Sequence, residues 1–271
     1  MKLAVQKLKD YLDQESDVVL AFLFGSVAKD QETEESDVDI ALLLKDKEKK
    51  GRIWSKITSL LQKEVDLILL DEAPATLTSA VFKTGIPLKV KDKKIYWDLY
   101  LTKSMESEDF AEFAESFWRI YQRAHSLSLE DKTRLLERLQ FLEQEIWEID
   151  RFKGLTFDKY QQERPKRREI ERWTENIINA IIDIAKIFLA SEKKDMPKTY
   201  GEALRDFATV SGLDEKEAYD FSQFARLRNI LAHEYLGVLY GEIRNFIEEF
   251  FPLYRKISKF LKQYLEGKET S

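Results

Sequence analysis

Residues 22–44 read Phe-Leu-Phe-Gly-Ser-Val-Ala-Lys-Asp-Gln-Glu-Thr-Glu-Glu-Ser-Asp-Val-Asp-Ile-Ala-Leu-Leu-Leu. An apolar run, Val18–Phe24, ends at Gly25-Ser26. Short runs rich in Val and Leu and bounded by turn residues read as buried strands. The Gly-Ser pair makes a tight turn where backbone can approach a ligand closely. A helix starting there would offer free N–H groups to a phosphate, and the Ser26 hydroxyl adds a donor. About ten residues on, Asp37 and Asp39 open a second apolar run, Val38–Leu44. With a strand period of two, both carboxylates leave the same face, about 7 Å apart. Like charges so placed repel unless a divalent cation lies between them. A solvated strand edge would tolerate such a pair, but Ile40-Ala41-Leu42-Leu43-Leu44 marks a central, buried strand.

The rest of the first hundred residues fits the same unit. Val65–Leu70 and a weaker Ile86–Val90 read as strands, and Leu3–Leu12 and Ile53–Leu61 as helices. Near residue 100 strand signals give way to helical periodicity. Ser128 before Glu130-Asp131 predicts a capped helix to about Phe152. Further helices are expected over 165–190, from Tyr200 to the Ser211-Gly212 stop, and over 215–235 and 240–265. The expected fold class is α+β: an α/β domain with a small mixed sheet over 1–105, a bridging helix over 106–127, and an all-α antiparallel bundle over 128–271.

Composition limits the chemistry. The chain has 271 residues, a formal charge of −6, no cysteine and two histidines, His125 and His233. That excludes disulfides, thiol nucleophiles and Cys-ligated or multi-His metal sites. Any metal falls to carboxylates, which favour Mg or Mn. The apolar content of 44% is ample for cores, and the charged content of 35% leans toward a thermophile. The amphipathic start and the short apolar runs predict a cytoplasmic chain with no membrane span. Basic and acidic residues number 16 and 18 in the first hundred residues and 28 and 32 thereafter, so neither half is a basic platform. A basic run, Arg164-Pro165-Lys166-Arg167-Arg168, reads mainly as a solvated helix face.

A third carboxylate, Asp66, lies in the strand after the aspartate pair, with Asp71 and Glu64 as rivals. Three acids beside a Gly-Ser turn can hold two Mg ions on a triphosphate. Gly25-Ser26-x-Ala28 with Ser36-Asp37-x-Asp39-Ile40 resembles the signature of the minimal nucleotidyltransferases of the DNA polymerase β-like superfamily. The resemblance implies Mg2+ or Mn2+ on Asp37, Asp39 and Asp66, with ATP contacted by Gly25, Ser26 and Lys29. The family commonly has Ala-Arg-Gly after Gly-Ser; here Ala28-Lys29-Asp30 keeps the positive charge without the bidentate fork of arginine.

The segment Phe224–Gly237 holds a second constellation. Arg226, Asn229 and His233 share one helical stripe, and Arg228 and Tyr235 an adjacent one. A neutral histidine can take a proton from an RNA 2′-hydroxyl, and an arginine can stabilise charge developing on the phosphate. Arg228 points about 140° from His233 on one helix, so a two-fold dimer would have to bring arginine and histidine together. Arg228, Asn229, His233 and Tyr235 resemble the Arg-x4-His-x-Tyr marker of the HEPN family, as does Pro197-x-x-Tyr200-Gly201-Glu202. That resemblance implies a dimeric ribonuclease acting on RNA.

In related two-gene systems the nucleotidyltransferase is the antitoxin, and it transfers AMP from ATP to the tyrosine of the HEPN toxin. The resemblance therefore implies a fused pair in which Tyr235 is the modified residue, in its own chain or across a homodimer formed by the helical domain. Two other readings stay open: an aminoglycoside-type nucleotidyltransferase whose helices shape the acceptor site, and an inactive nucleotide-binding module. Of the remaining residues, His125 reads as a loop position, and Trp118, Trp147 and Trp173 as core or dimer contacts.

Overall fold

The computed structural model describes residues 2–28, 37–123, 127–232 and 239–267. The chain divides into two compact units, Met1–Asp109 and Phe110–Ser271. The first begins with α1 (Lys2–Gln14), β1 (Val18–Phe24), the one-turn α2 (Gly25–Ala28) and β2 (Val38–Leu44). A 3-10 turn (Lys47–Lys49) leads to α3 (Lys50–Leu61), β3 (Val65–Leu69), α4 (Ala75–Thr84) and β4 (Ile86–Val90).

Among the described residues the strands form one mixed sheet in the order β3-β2-β1-β4. β1 is antiparallel to β2 and β4, whereas β2 and β3 are parallel. The strand period sorts the side chains. Val38, Ile40 and Leu42 pack with Leu8 and Leu12 of α1 and Ile53 and Ile57 of α3. Phe22 and Ala41 pack on the opposite face with Val81 and Phe82 of α4. Both faces are therefore covered, which is why these strands read as continuous apolar runs.

The next helix, α5 (Lys93–Arg123), begins earlier than the expected bridging helix over 106–127. Asp92 supplies the reason: its carboxylate accepts the backbone N–H groups of Lys94 and Ile95 at 2.8 and 3.1 Å and caps the start. Tyr96 and Tyr100 then pack edge-on against Phe82, at ring distances of 5.3 and 5.7 Å. The boundary between the two units falls inside α5, whose Phe110, Phe113, Phe117 and Ile120 belong to the core of the second.

That second unit continues with α6 (Leu129–Trp147), α7 (Asp150–Lys153), α8 (Phe157–Gln162) and α9 (Arg164–Ser191). It ends with α10 (Tyr200–Val210), α11 (Glu215–Ala232) and α12 (Leu239–Gly267). The Ser128 hydroxyl caps α6 by accepting from the Asp131 N–H at 3.1 Å. The helix expected to reach Phe152 breaks after Trp147, because the Glu148 N–H turns back to Glu145 and Ile146. Gly212, at φ 88°, closes α10 in the left-handed conformation that glycine adopts at little cost.

The centre of this unit is α9, buried from Ile170 to Ser191 along one side, with α6, α10 and α11 packed on it. Each fully buried Ile or Leu there contributes about 1.5–3 kcal/mol. Of the three tryptophans assigned to core or dimer contacts, Trp173 is buried, whereas Trp118 and Trp147 are exposed. Among the described residues no helix is long and apolar enough to cross a membrane.

Candidate functional site

The first site is built where β1, β2 and β3 end together. Gly25 follows β1 with φ 74°, and a Cβ there would lie 1.9 Å from the Asp39 carboxylate oxygen. Only glycine satisfies both constraints, since a side chain would be strained by the backbone and would collide with Asp39. Phe24 pairs with Asp39 across β1 and β2, which fixes the turn against the acid. Ser26 is half-buried in the one-turn α2.

Asp39 in turn pairs in register with Asp66 across the parallel β2 and β3. Both lie on the sheet face shared by Ala41 and Ile68, and Asp37, two residues before Asp39, is exposed. The electrostatics record this clustering. Burial pushes the Asp39 carboxyl above its usual range, and the charges of Asp66 and Asp37 add to the rise. The rivals stand apart: Asp71 lies past the end of β3 in an ion pair with Lys47 at 2.7 Å. Glu64 precedes β3, and its carbonyl accepts the Val38 N–H at 2.9 Å.

Three carboxylates that oppose one another's ionisation, beside a glycine cradle, suit a hard divalent cation. Among the described residues no group of three or more acids is drawn together as a ready-made metal site. Lys29, placed with the nucleotide by resemblance, lies outside the described residues, as do Asp30 and Ser36.

The second site lies in the helical unit. Arg228 on α11 is half-buried and donates from Nε to Oδ1 of Asn179 on α9 at 3.0 Å. A longer contact, 3.4 Å, joins its guanidinium to Oδ1 of Asn229. The guanidinium also lies over the Tyr200 ring, 5.1 Å from the centroid. Tyr200 is itself packed edge-on against Phe110 and Phe113, at 5.3 and 5.4 Å. Arg226, from the neighbouring stripe, is exposed. His233 and Tyr235 lie outside the described residues, as does His125. Sequence reasoning passed over Asn179, which sits in the apolar stretch Ile177–Ile182. A polar amide in that run was the available signal.

Family comparison follows this division of the chain. Residues 6–94 match the family described as Polymerase beta, Nucleotidyltransferase. Residues 142–261 match the family described as Ribonuclease HepT-like. The chain carries a polymerase β-type nucleotidyltransferase domain and a HepT-like domain.

No curated protein matches the chain. Among solved structures, a toxin–antitoxin with AMP-PNP is 27% identical, covering 41% of this chain and 90% of that one, at a TM-score of 0.34. The toxin–antitoxin MntA-HepT is 26% identical, covering 41% and 92%, at 0.33. A tri-AMPylated Shewanella oneidensis HEPN toxin in complex with MNT antitoxin is 26% identical, covering 41% and 90%, at 0.32. The aspartate cluster thus falls in the nucleotidyltransferase domain, and the Arg228–Asn179 contact in the HepT-like domain.

Proposed function

We propose that the nucleotidyltransferase domain transfers AMP from ATP to Tyr235 of the HepT-like domain, in its own chain or across a homodimer, and thereby restrains a metal-independent ribonuclease. The observation that carries the first half is the contact of Gly25 with Asp39, itself in register with Asp66. Gly25 and Ser26 leave room for a phosphate beside the acids, and Lys29 adds positive charge. Asp37, Asp39 and Asp66 would hold Mg2+ or Mn2+, which neutralises triphosphate charge and eases departure of pyrophosphate. The Tyr235 phenolic oxygen attacks the α-phosphorus, the bond from that phosphorus to the bridging oxygen breaks, and the phenolic proton is lost to solvent.

For the second half, His233 takes the proton of an RNA 2′-hydroxyl, which attacks the adjacent phosphorus and expels the 5′-oxygen. Arg228 stabilises the charge that develops on the phosphate, and Asn229 shares that role. The hydrogen bond from Arg228 to Asn179 supports this reading, because it fixes the guanidinium before substrate arrives. AMP on Tyr235, two residues from His233, would add negative charge and bulk where RNA binds. Such a protein would act in the cytoplasm, where ATP and RNA are both at hand.

Intact mass after incubation with Mg and ATP tests the transfer. Wild type should gain mass in AMP-sized steps, and Tyr235→Phe and Asp39→Asn should gain none. A wild type that gains nothing from an unmodified start, or a Tyr235→Phe variant that gains as much, overturns the proposal.

A further inference from the structure

Helix α6 leaves large apolar side chains in solvent: Leu129 is 82% exposed, Leu136 45% and Trp147 86%. At 100° per residue these positions, seven and eleven apart, fall within about 20° of one another and form a seam about 27 Å long. Isolated exposed leucines are ordinary, but a tryptophan and two leucines aligned on one face mark an interaction surface. We propose that this seam is a two-fold contact between two copies of the chain, with α6 antiparallel to its counterpart. It uses a helix other than α11 and does not depend on either catalytic reading.

The order of residues along the seam argues for a second copy. An antiparallel pair centred near residue 138 sets Leu129 of one copy on Trp147 of the other, and Leu136 beside Gln140. On one flank it brings Lys132 to Glu143 of the second copy, twice by symmetry. Glu143 already accepts Lys262 of its own chain at 2.6 Å, and its two oxygens have capacity for both cations. A parallel pair would instead set Glu143 of both copies at one height beside the seam, where the two carboxylates repel. It would also align the helix dipoles unfavourably. The three exposed side chains from both copies offer roughly 800 Å² of apolar surface, and flanking polar groups bring the total to the ~1,000 Å² that a specific interface needs.

Light scattering on the full chain tests this. Trp147→Glu and Leu129→Glu should each halve the mass of the assembly and leave thermal unfolding unchanged, whereas Trp147→Phe should keep the mass. The natural chain has no cysteine, so introduced cysteines report the register. A mixture of Leu136→Cys and Gln140→Cys copies should cross-link faster than either copy alone. Equal mass for wild type and Trp147→Glu overturns the proposal, and so does a monomer in which Trp147 is shielded by its own chain. Faster cross-linking of Leu136→Cys with itself overturns the antiparallel arrangement.

Discussion

The two candidate sites are held in place by different physics. In the nucleotidyltransferase domain, Gly25, Asp39 and Asp66 are positioned by backbone pairing, because the register of β1, β2 and β3 determines which residues meet. In the HepT-like domain, Arg228 is positioned by side chains from other helices, Asn179 beneath its Nε and Tyr200 beneath its plane. A register-built site fails through backbone or charge, and a side-chain-built site through loss of a single hydrogen-bond partner. The sites also differ in sign. The first concentrates negative charge that opposes its own ionisation, while the second fixes a cation in a half-buried setting.

The largest effect is expected at Gly25. Gly25→Ala should abolish AMP transfer and destabilise the first unit by about 2 kcal/mol or more in urea unfolding, from strain at φ 74° and collision with Asp39. RNA cleavage by the second unit should persist.

Next comes Asp39→Asn, with transfer falling at least ~100-fold as a catalytic ligand is lost, yet with stability at pH 7 rising rather than falling. The sign follows from the raised carboxyl of the folded state. An acid with a raised folded value favours folding when protonated, and that advantage is lost as pH rises above its unfolded value. The stability gap between variant and wild type, followed by urea unfolding without metal, should therefore close as pH falls into the carboxylate range.

Asn179→Ala addresses the other site. RNA cleavage should drop about 10–100-fold, mostly in kcat, because a mispositioned guanidinium weakens transition-state stabilisation more than substrate binding. AMP transfer should stay intact, and stability should fall by about 1 kcal/mol. Equal loss of both activities would mean that the two sites do not fail independently.

The smallest effect is expected at Asp71, the rival acid. Asp71→Asn breaks a partly exposed ion pair with Lys47. It should cost at most about 0.5 kcal/mol and leave transfer unchanged. A loss matching that of Asp66→Asn would move the third acid to Asp71.

What the sequence disclosed follows the same divide. β1, β2 and β4 run where their apolar runs run, since buried strands announce themselves as unbroken Val, Leu and Ile stretches. The glycine and the acids were legible because one segment of chain carries most of them. By contrast, α4 was not anticipated: Thr78 and Ser79 are polar in sequence yet buried, with the Thr78 hydroxyl bonded to the Leu70 carbonyl at 3.1 Å. The early start of α5 depended on one capping aspartate, Asp92. Asn179 was hidden for a tertiary reason: its partner is 49 residues away, and no local pattern pairs an amide in α9 with an arginine in α11. Trp147 was legible as an apolar residue but not as an exposed one, since periodicity places side chains on a face without saying what covers it.

The central claim is that the first unit controls the second through Tyr235. Its most direct test is the rate of RNA cleavage by one preparation before and after incubation with Mg and ATP, with intact mass followed in parallel. The account predicts that cleavage falls as AMP-sized mass appears, and that neither changes in Asp39→Asn. Cleavage that continues unaltered on fully modified protein, or that falls equally in Tyr235→Phe, would contradict it.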